Sequence, residues 1–300
     1  MNFLNTLRIQ PLAATPFRYS PQCARFISST PALRDARTSD AKPPSRKPHD
    51  IDPRWLSTTK QKIGRCMMFG LTPSQVQEAG DILQQLARDW RELIAGSEGY
   101  LTDAKRRGLF RQSVAWGEMD SMGISSFLII TLLEIYAETA RVYFMRNVGT
   151  HIDPAHKREW VDLVSSRGVG VIMRSLKLDY KFPMTYPDKV TVYHKLAHSP
   201  SSPNSSPYAI YLQAVIISET HQRPAARVHE DLVIYDYQQA KKTAMPPFLM
   251  EQCKATWELQ EQAKKSWRQR ILDIENRVRT LEMESWDRED AIEDTGSARK

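Results

Sequence analysis

Apolar residues recur at helical spacing over residues 73–95, where Val76, Ala79, Ile82, Leu83, Leu86, Trp90 and Leu93 define one face. The segment opens with Thr72-Pro73-Ser74-Gln75. Thr72 can cap, Pro73 suits the first helical position, and Gln75 stands where a capping box places its acceptor. Gly96 and Gly99 close the helix. From Leu109 the period changes to two, which predicts a short strand at 109–116. Four longer segments rich in β-branched and aromatic residues follow, at 169–182, 189–198, 208–221 and 226–237. Turn residues separate them: Pro183 to Asp188, Ser199 to Pro207, and Gln222-Arg223-Pro224. Between the first strand and the other four, residues 127–147 predict one long helix with Leu128, Leu132, Ile135, Tyr136, Ala140 and Tyr143 on a broad apolar face. A last helix follows Pro246 and Pro247 and runs to about Trp286. Its Trp267, Ile271, Ile274, Val278 and Leu281 form a heptad seam too short for a coiled coil, so it is expected to pack on the domain or across an oligomer. This order predicts an α+β fold, a long central helix wrapped by a curved antiparallel sheet, with extra N- and C-terminal helices. The short polar connections predict that the four long strands form a meander.

Composition adds boundaries. Three hundred residues, 41% of them hydrophobic, suffice for one domain with extensions. The longest apolar run, 127–133, is stopped by Glu134 and falls short of the roughly 20 residues of a membrane span. Cys23, Cys66 and Cys253 lie far apart without a C-x-x-C pair, which argues against a disulfide framework, a zinc ribbon or a redox dithiol. The net charge of +7 is unevenly spread: the first thirty residues hold Arg8, Arg18 and Arg25 and no acid. Residues 1–34 thus have the composition of a mitochondrial transit peptide, and Arg8, Pro11 and Pro16 break every run that could serve as a secretory signal. Arg25-Phe26-Ile27-Ser28-Ser29 resembles a matrix-protease site, so the mitochondrial matrix is the expected location. Residues 35–54 read as a proline-punctuated disordered linker, 55–104 as a helical extension, 105–245 as the α+β domain, 246–286 as the C-terminal helix and 287–300 as a disordered polar tail. The charge left after the leader is ordinary and no basic-aromatic stripe accompanies it, so no nucleic-acid partner is expected.

Most catalytic signatures are absent: no G-x-S-x-G elbow, no P-loop, no H-E-x-x-H. His151 and His156 flank Asp153 in a stretch read as a loop, where surface histidines are a better reading than metal ligands, and no metal site is expected. One stretch differs. Trp116-Gly117-Glu118-Met119-Asp120-Ser121-Met122-Gly123 places two carboxylates between a strand and the central helix, and Tyr136-Ala137-Glu138-Thr139-Ala140-Arg141 follows inside that helix. On these residues the sequence resembles the hotdog-fold acyl-CoA thioesterases of the 4-hydroxybenzoyl-CoA thioesterase type, in particular fungal mitochondrial members. Tyr235-Asp236-Tyr237 looks like their closing strand.

The resemblance implies hydrolysis of acyl-CoA to free acid and CoA, with coenzyme A as part of the substrate and no separate cofactor. Asp120 would act as nucleophile or general base, and backbone N–H groups around Gly123, Ile124 and Ser125, at a helix N-terminus, would hold the oxyanion. Glu138 falls where some hotdog enzymes carry a second carboxylate; a salt bridge with Arg141 at i+3 is the competing reading. Arg174 and Lys195 are candidates for the CoA phosphates. The open edges of a five-stranded sheet predict a homodimer or homotetramer. After Gly123, however, the family's usual His-Val-Asn-Asn is replaced by Ile124-Ser125-Ser126-Phe127, and Asp120 to Glu138 is about one helical turn longer than usual. Three readings stand: an active enzyme, a non-catalytic acyl-CoA-binding or structural subunit of a mitochondrial complex, or an altered exon junction over residues 124–133.

Overall fold

In a computed structural model of the chain, the described residues are 51–293, apart from 53, 115–125 and 185; for 126–132 the description covers the backbone alone. Two helices come first, α1 (Trp55–Met67) and α2 (Pro73–Gly96). The α2 start forms the expected capping box: Gln75 N donates to Thr72 Oγ1 at 3.4 Å, and Thr72 N donates to Gln75 Oε1 at 2.8 Å. Strand β1 (Leu109–Ser113) and the central helix α3 (Ser126–His151) follow. The stretch read as a loop after α3 contains a 3-10 turn (Pro154–His156) and a short helix, α4 (Lys157–Leu163). Its helical pattern is too short to register as a period, and its packing depends on Gly149, whose lack of a side chain lets Trp160 approach α3. Then come β2 (Val169–Tyr180), β3 (Lys189–Leu196), β4 (Ala209–Ser218), β5 (Arg223–Asp236), the two-residue β6 (Lys241–Lys242) and α5 (Pro247–Glu284).

All strand pairs are antiparallel, in the order β1-β3-β4-β5-β2, with β6 added to β5. The expected meander holds for β3, β4 and β5 and fails for β2, which lies beside β5 rather than β3. Loop length did not decide this. Three strand spacings separate β2 from β3, about 14 Å, and the connection 181–188 can reach about 26 Å when extended.

The sheet is curled, a half-barrel around α3. Its strands alternate between two faces, as a period of two requires. Val190, Val192, Ala214, Ile216, Ala226 and Val228 point inward against Leu133, Tyr136, Ala137 and Ala140 of α3. Farther along, Leu196, Ile210, Leu212, Leu232 and Ile234 meet Met145, Val148 and Trp160. On the outer face, Tyr193, Val215 and Ile217 lie under a helical layer built from Ile63 of α1, Ile82, Leu86 and Trp90 of α2, and Ile271, Ile274, Val278 and Leu281 of α5. The heptad seam of α5 is thus covered within the chain. Helix α5, about 57 Å long, belongs to both sides, since its first turns place Leu249 and Cys253 in the cluster with Met145 and Trp160. These elements fall in one compact unit, Ile51–Lys300. Among the described residues no helix is long and apolar enough to cross a membrane.

Candidate functional site

Helix α3 begins at Ser126. The first N–H groups of any helix lack intrahelical acceptors and carry the positive end of its dipole. The residues expected to work at that end, Asp120, Gly123, Ile124 and Ser125, lie outside the described residues, so their placement is not part of the geometry that follows. Glu138 is described. It is well exposed, three turns farther along α3 and about 18 Å from its start, and it sits 3.7 Å from Arg141 as the i+3 ion pair. The structure does not bring it to the first turn of α3.

Arg174 and Lys195 both belong to the outer side of the sheet, across from α3. Arg174, at the bulge of β2, holds Asp231 through Nε at 2.9 Å and through Nη2. Lys195 donates from Nζ to the Glu98 carbonyl oxygen at 2.6 Å, 4.6 Å from the centre of the Tyr100 ring. Burial is the main cause that lowers its pKa to about 8, against the attraction of Glu98. Both cations are therefore already engaged, and neither faces α3.

His156 and Asp153 form a local network. The His156 Nδ1 lies 2.9 Å from Asp153 Oδ1, Trp160 Nε1 donates to Asp153 Oδ2 at 3.0 Å, and the imidazole stacks on Phe248 of α5 with centroids 4.9 Å apart. The hydrogen bond that His156 donates to the Asp153 carboxylate raises the pKa of His156. These contacts fasten the α3–α4 connection to α5. Among the described residues no group of three His, Cys, Asp or Glu side chains could hold a metal ion.

Sequence reasoning missed a buried polar cluster between α3 and the sheet. Arg141 Nη1 donates to Glu230 Oε1 at 2.9 Å, and His194 Nε2 lies 3.7 Å from Glu230 Oε2, beyond hydrogen-bond range. The side chains of His194 and Glu230 are completely buried. Burial pushes the Glu230 carboxyl upward, but the attraction of His194 and Arg141 outweighs it and holds the pKa below the usual value. The signal was legible: on β3 the inward row reads Val190, Val192, His194, Leu196, and on β5 it reads Ala226, Val228, Glu230, Leu232, Ile234. A charge in such a row is a buried charge.

A five-stranded antiparallel sheet in this order, curled around one long helix that enters after β1, is a hotdog architecture. Residues 114–253 match the family profile of the Thioesterase-like superfamily. The domain has a hotdog-like fold. Its matched span starts at the end of β1 and ends in the first turns of α5, leaving α1, α2 and most of α5 as additions to the hotdog. Solved structures similar to the chain include a thioesterase from Thermus thermophilus complexed with coenzyme A and Zn, at 15% identity and a TM-score of 0.35, covering 50% of this chain and 93% of that one. A DHNA-CoA thioesterase from Staphylococcus aureus has 18% identity and a TM-score of 0.35, with 51% and 91% covered. A probable thioesterase from Escherichia coli has 16% identity and a TM-score of 0.35, with 48% and 94% covered. No curated protein matches the chain by sequence.

Proposed function

We propose that the chain hydrolyses an acyl-CoA thioester to the free acid and CoA. The observation that carries this reading is the match of residues 114–253 to the Thioesterase-like superfamily, within which Asp120 and Gly123 stand immediately before α3. In this reading the thioester carbonyl oxygen rests on backbone N–H groups at the start of α3, contributed around Gly123, Ile124 and Ser125, where the helix dipole favours the negative charge of the tetrahedral state. Asp120 either attacks the carbonyl carbon, so that the CoA thiolate leaves and water then hydrolyses the mixed anhydride to the free acid, or takes the proton of a water that attacks the carbonyl directly, the thiolate leaving and accepting a proton. This reading assigns Glu138 no step, since it lies along the exposed helix surface beside Arg141. Arg174 and Lys195 meet a CoA phosphate only if Asp231 and Glu98 release them.

The 4-hydroxybenzoyl-CoA type, the mitochondrial matrix as the site of action and a homo-oligomeric state complete the proposal; they rest on the motif, the N-terminal composition and the open strand edges. The test is thiol release by the purified full-length chain from short, medium, long and aromatic acyl-CoAs. Release that falls about a hundredfold or more in Asp120→Asn supports the reading. An intact chain that binds acyl-CoA without releasing thiol overturns hydrolysis in favour of the non-catalytic binder.

A further inference from the structure

The turn from β4 into β5 carries a histidine whose protonation pattern is fixed by its neighbours. Ser218 Oγ donates its proton to Asp188 Oδ2 at 2.6 Å. The same oxygen accepts from the His221 backbone N–H at 3.1 Å and lies 3.1 Å from His221 Nδ1. A hydroxyl has one proton to give, so Nδ1 is the donor in that last contact. His221 is thereby held as the Nδ1–H tautomer, with the lone pair left on Nε2. Asp188 and Ser218 are buried and residue 221 is exposed, so the relay holds the ring from inside while the ring itself meets solvent.

Cations flank that ring, and the acids that touch the turn are already engaged. His221 packs on Phe182 with centroids 4.7 Å apart, and Arg223 Cζ lies 4.0 Å from the centre of the same Phe182 ring. Lys181 precedes Phe182 and donates its backbone N–H to the Ala225 carbonyl oxygen at 2.9 Å, while Lys60 of α1 donates from Nζ to Gln222. Among the described residues, none of these three cations meets a carboxylate. Asp188 is taken by Ser218, by Lys189 N at 2.7 Å and by Thr220 N at 3.0 Å. Glu219 is taken by Arg91, with Arg111 at 3.6 Å. Positive charge is therefore left in excess at the turn. The chain leaves β1 toward α3 at this same end of the sheet: Val114 N donates to the Asp188 carbonyl oxygen at 3.0 Å, and Val114 packs in one cluster with Leu133 of α3.

A phosphate monoester matches this set. It carries negative charge and a second proton that leaves near about pH 6. A guanidinium holds its oxygens through charge-assisted hydrogen bonds. Nε2 can accept the P–O–H proton or, once it has taken that proton, donate it back to the phosphate oxygen. We propose that His221 and Arg223, flanked by Lys60 and Lys181, form a subsite for a phosphate monoester. The identity of the ligand rests on the acyl-CoA reading: the phosphate-bearing head of CoA meets this turn rather than Arg174 and Lys195, which Asp231 and the Glu98 carbonyl hold.

The test is calorimetric titration of the full-length chain with 3′,5′-ADP, which carries phosphate monoesters, and with adenosine, which carries none. His221→Asn keeps a donor in place of Nδ1 and deletes Nε2, and Arg223→Gln deletes the cation. The parent should bind 3′,5′-ADP and not adenosine. Each variant should weaken binding by about tenfold, as for a lost hydrogen bond to a charged group, at an unchanged melting temperature. Arg158→Gln removes an exposed charge from α4 and should leave the affinity as it is. No binding by the parent, unchanged affinity in both variants, or equal weakening by Arg158→Gln overturns the subsite. In a parent that hydrolyses acyl-CoA, both variants should raise KM with kcat little changed; a KM that does not move overturns the subsite and leaves hydrolysis standing. A parent that binds 3′,5′-ADP through His221 and Arg223 but releases no thiol keeps the subsite and removes hydrolysis.

Discussion

Glycine-to-alanine substitution should move stability in opposite directions at two helical positions of this chain. At Gly80, exposed on α2, an added Cβ has nothing within 4 Å. The change there removes the conformational freedom of glycine from the unfolded chain and should stabilise by about 0.5–1 kcal/mol. At Gly149, buried on α3, the same Cβ would stand 2.5 Å from Trp160 Cβ and 2.9 Å from Trp160 Cγ. The first of these atoms is fixed to the α4 backbone, so no rotamer of Trp160 relieves the contact and α4 must move away from α3. Trp160 is held from other sides by its hydrogen bond to Asp153 and its edge contact with Phe248, centroids 5.7 Å apart, so the displacement disturbs them too. Overpacking of this kind costs about 1–3 kcal/mol, against a helix-propensity gain of at most about 1 kcal/mol. The net expectation for Gly149→Ala is a loss of about 1–2 kcal/mol. Urea unfolding followed by circular dichroism, at constant slope, measures both variants on one scale; each kcal/mol corresponds to about 2–4 °C in Tm at this chain length. Equal stabilisation by Gly149→Ala and Gly80→Ala would refute the close approach of α4 to α3.

Glu230→Gln removes the nearer and buried one of the two carboxylates beside Arg141 and should cost about 3 kcal/mol at pH 7 in the same assay. Because Glu230 titrates lower in the folded chain, its contribution is full above the unfolded pKa of about 4.3 and disappears as the pH falls through the folded value, so parent and variant should converge in acid. Lys195 behaves oppositely: its folded pKa of about 8 lies below the unfolded one, so the folded chain binds fewer protons between about pH 8 and 10.4 and gains stability as pH rises through that window. Lys195→Met should therefore stabilise at pH 7 and lose that advantage above about pH 10, as pH-dependent melting will show. Truncation after Cys253 removes Ile271, Ile274, Val278 and Leu281 from the outer layer, worth about 6–12 kcal/mol at 1.5–3 per buried side chain. That approaches the whole stability of a typical domain, so the truncated chain should lack a cooperative melt.

Local patterns made much of the fold legible. The Thr72–Gln75 capping box, the helical spacing of α2 and the period-two rows of β3, β4 and β5 each depend on residues close in sequence, and each appears near its expected place, although β5 already starts at Arg223 within the stretch read as a turn. The partner of β2 was not legible, because its register against β5 is set by contacts such as Leu176↔Glu230 and by a bulge between Met173 and Ser175, neither of which leaves a local mark. The faces of Arg174 and Lys195 were equally hidden: a cation on a strand reads the same whether it meets solvent, a carboxylate or an overlying helix. At the candidate site the motif around Asp120 pointed to the start of α3, while Glu138 resolved into a helix-surface ion pair. Glu230 and His194 were readable as charges in apolar rows, but only once the direction of those rows was known.

The strand order also dictates the sequence of events by which the chain assembles. β4 turns into β5 from Ser218 to Arg223, and β3 joins β4 across the hairpin between Leu196 and Leu212, so three strands pair through short loops. β1 must find β3 from Ser113 to Lys189, and β2 must find β5 across the intervening β3 and β4. Pairings that close long loops come late. The segment that leads from β1 into α3, which carries the candidate chemistry, is therefore tethered to the strand whose docking closes the longest loop of the sheet. If the proposed hydrolysis holds, recovery of thioester cleavage after dilution from urea would lag the recovery of sheet signal, and activity would report the last step of folding rather than the first.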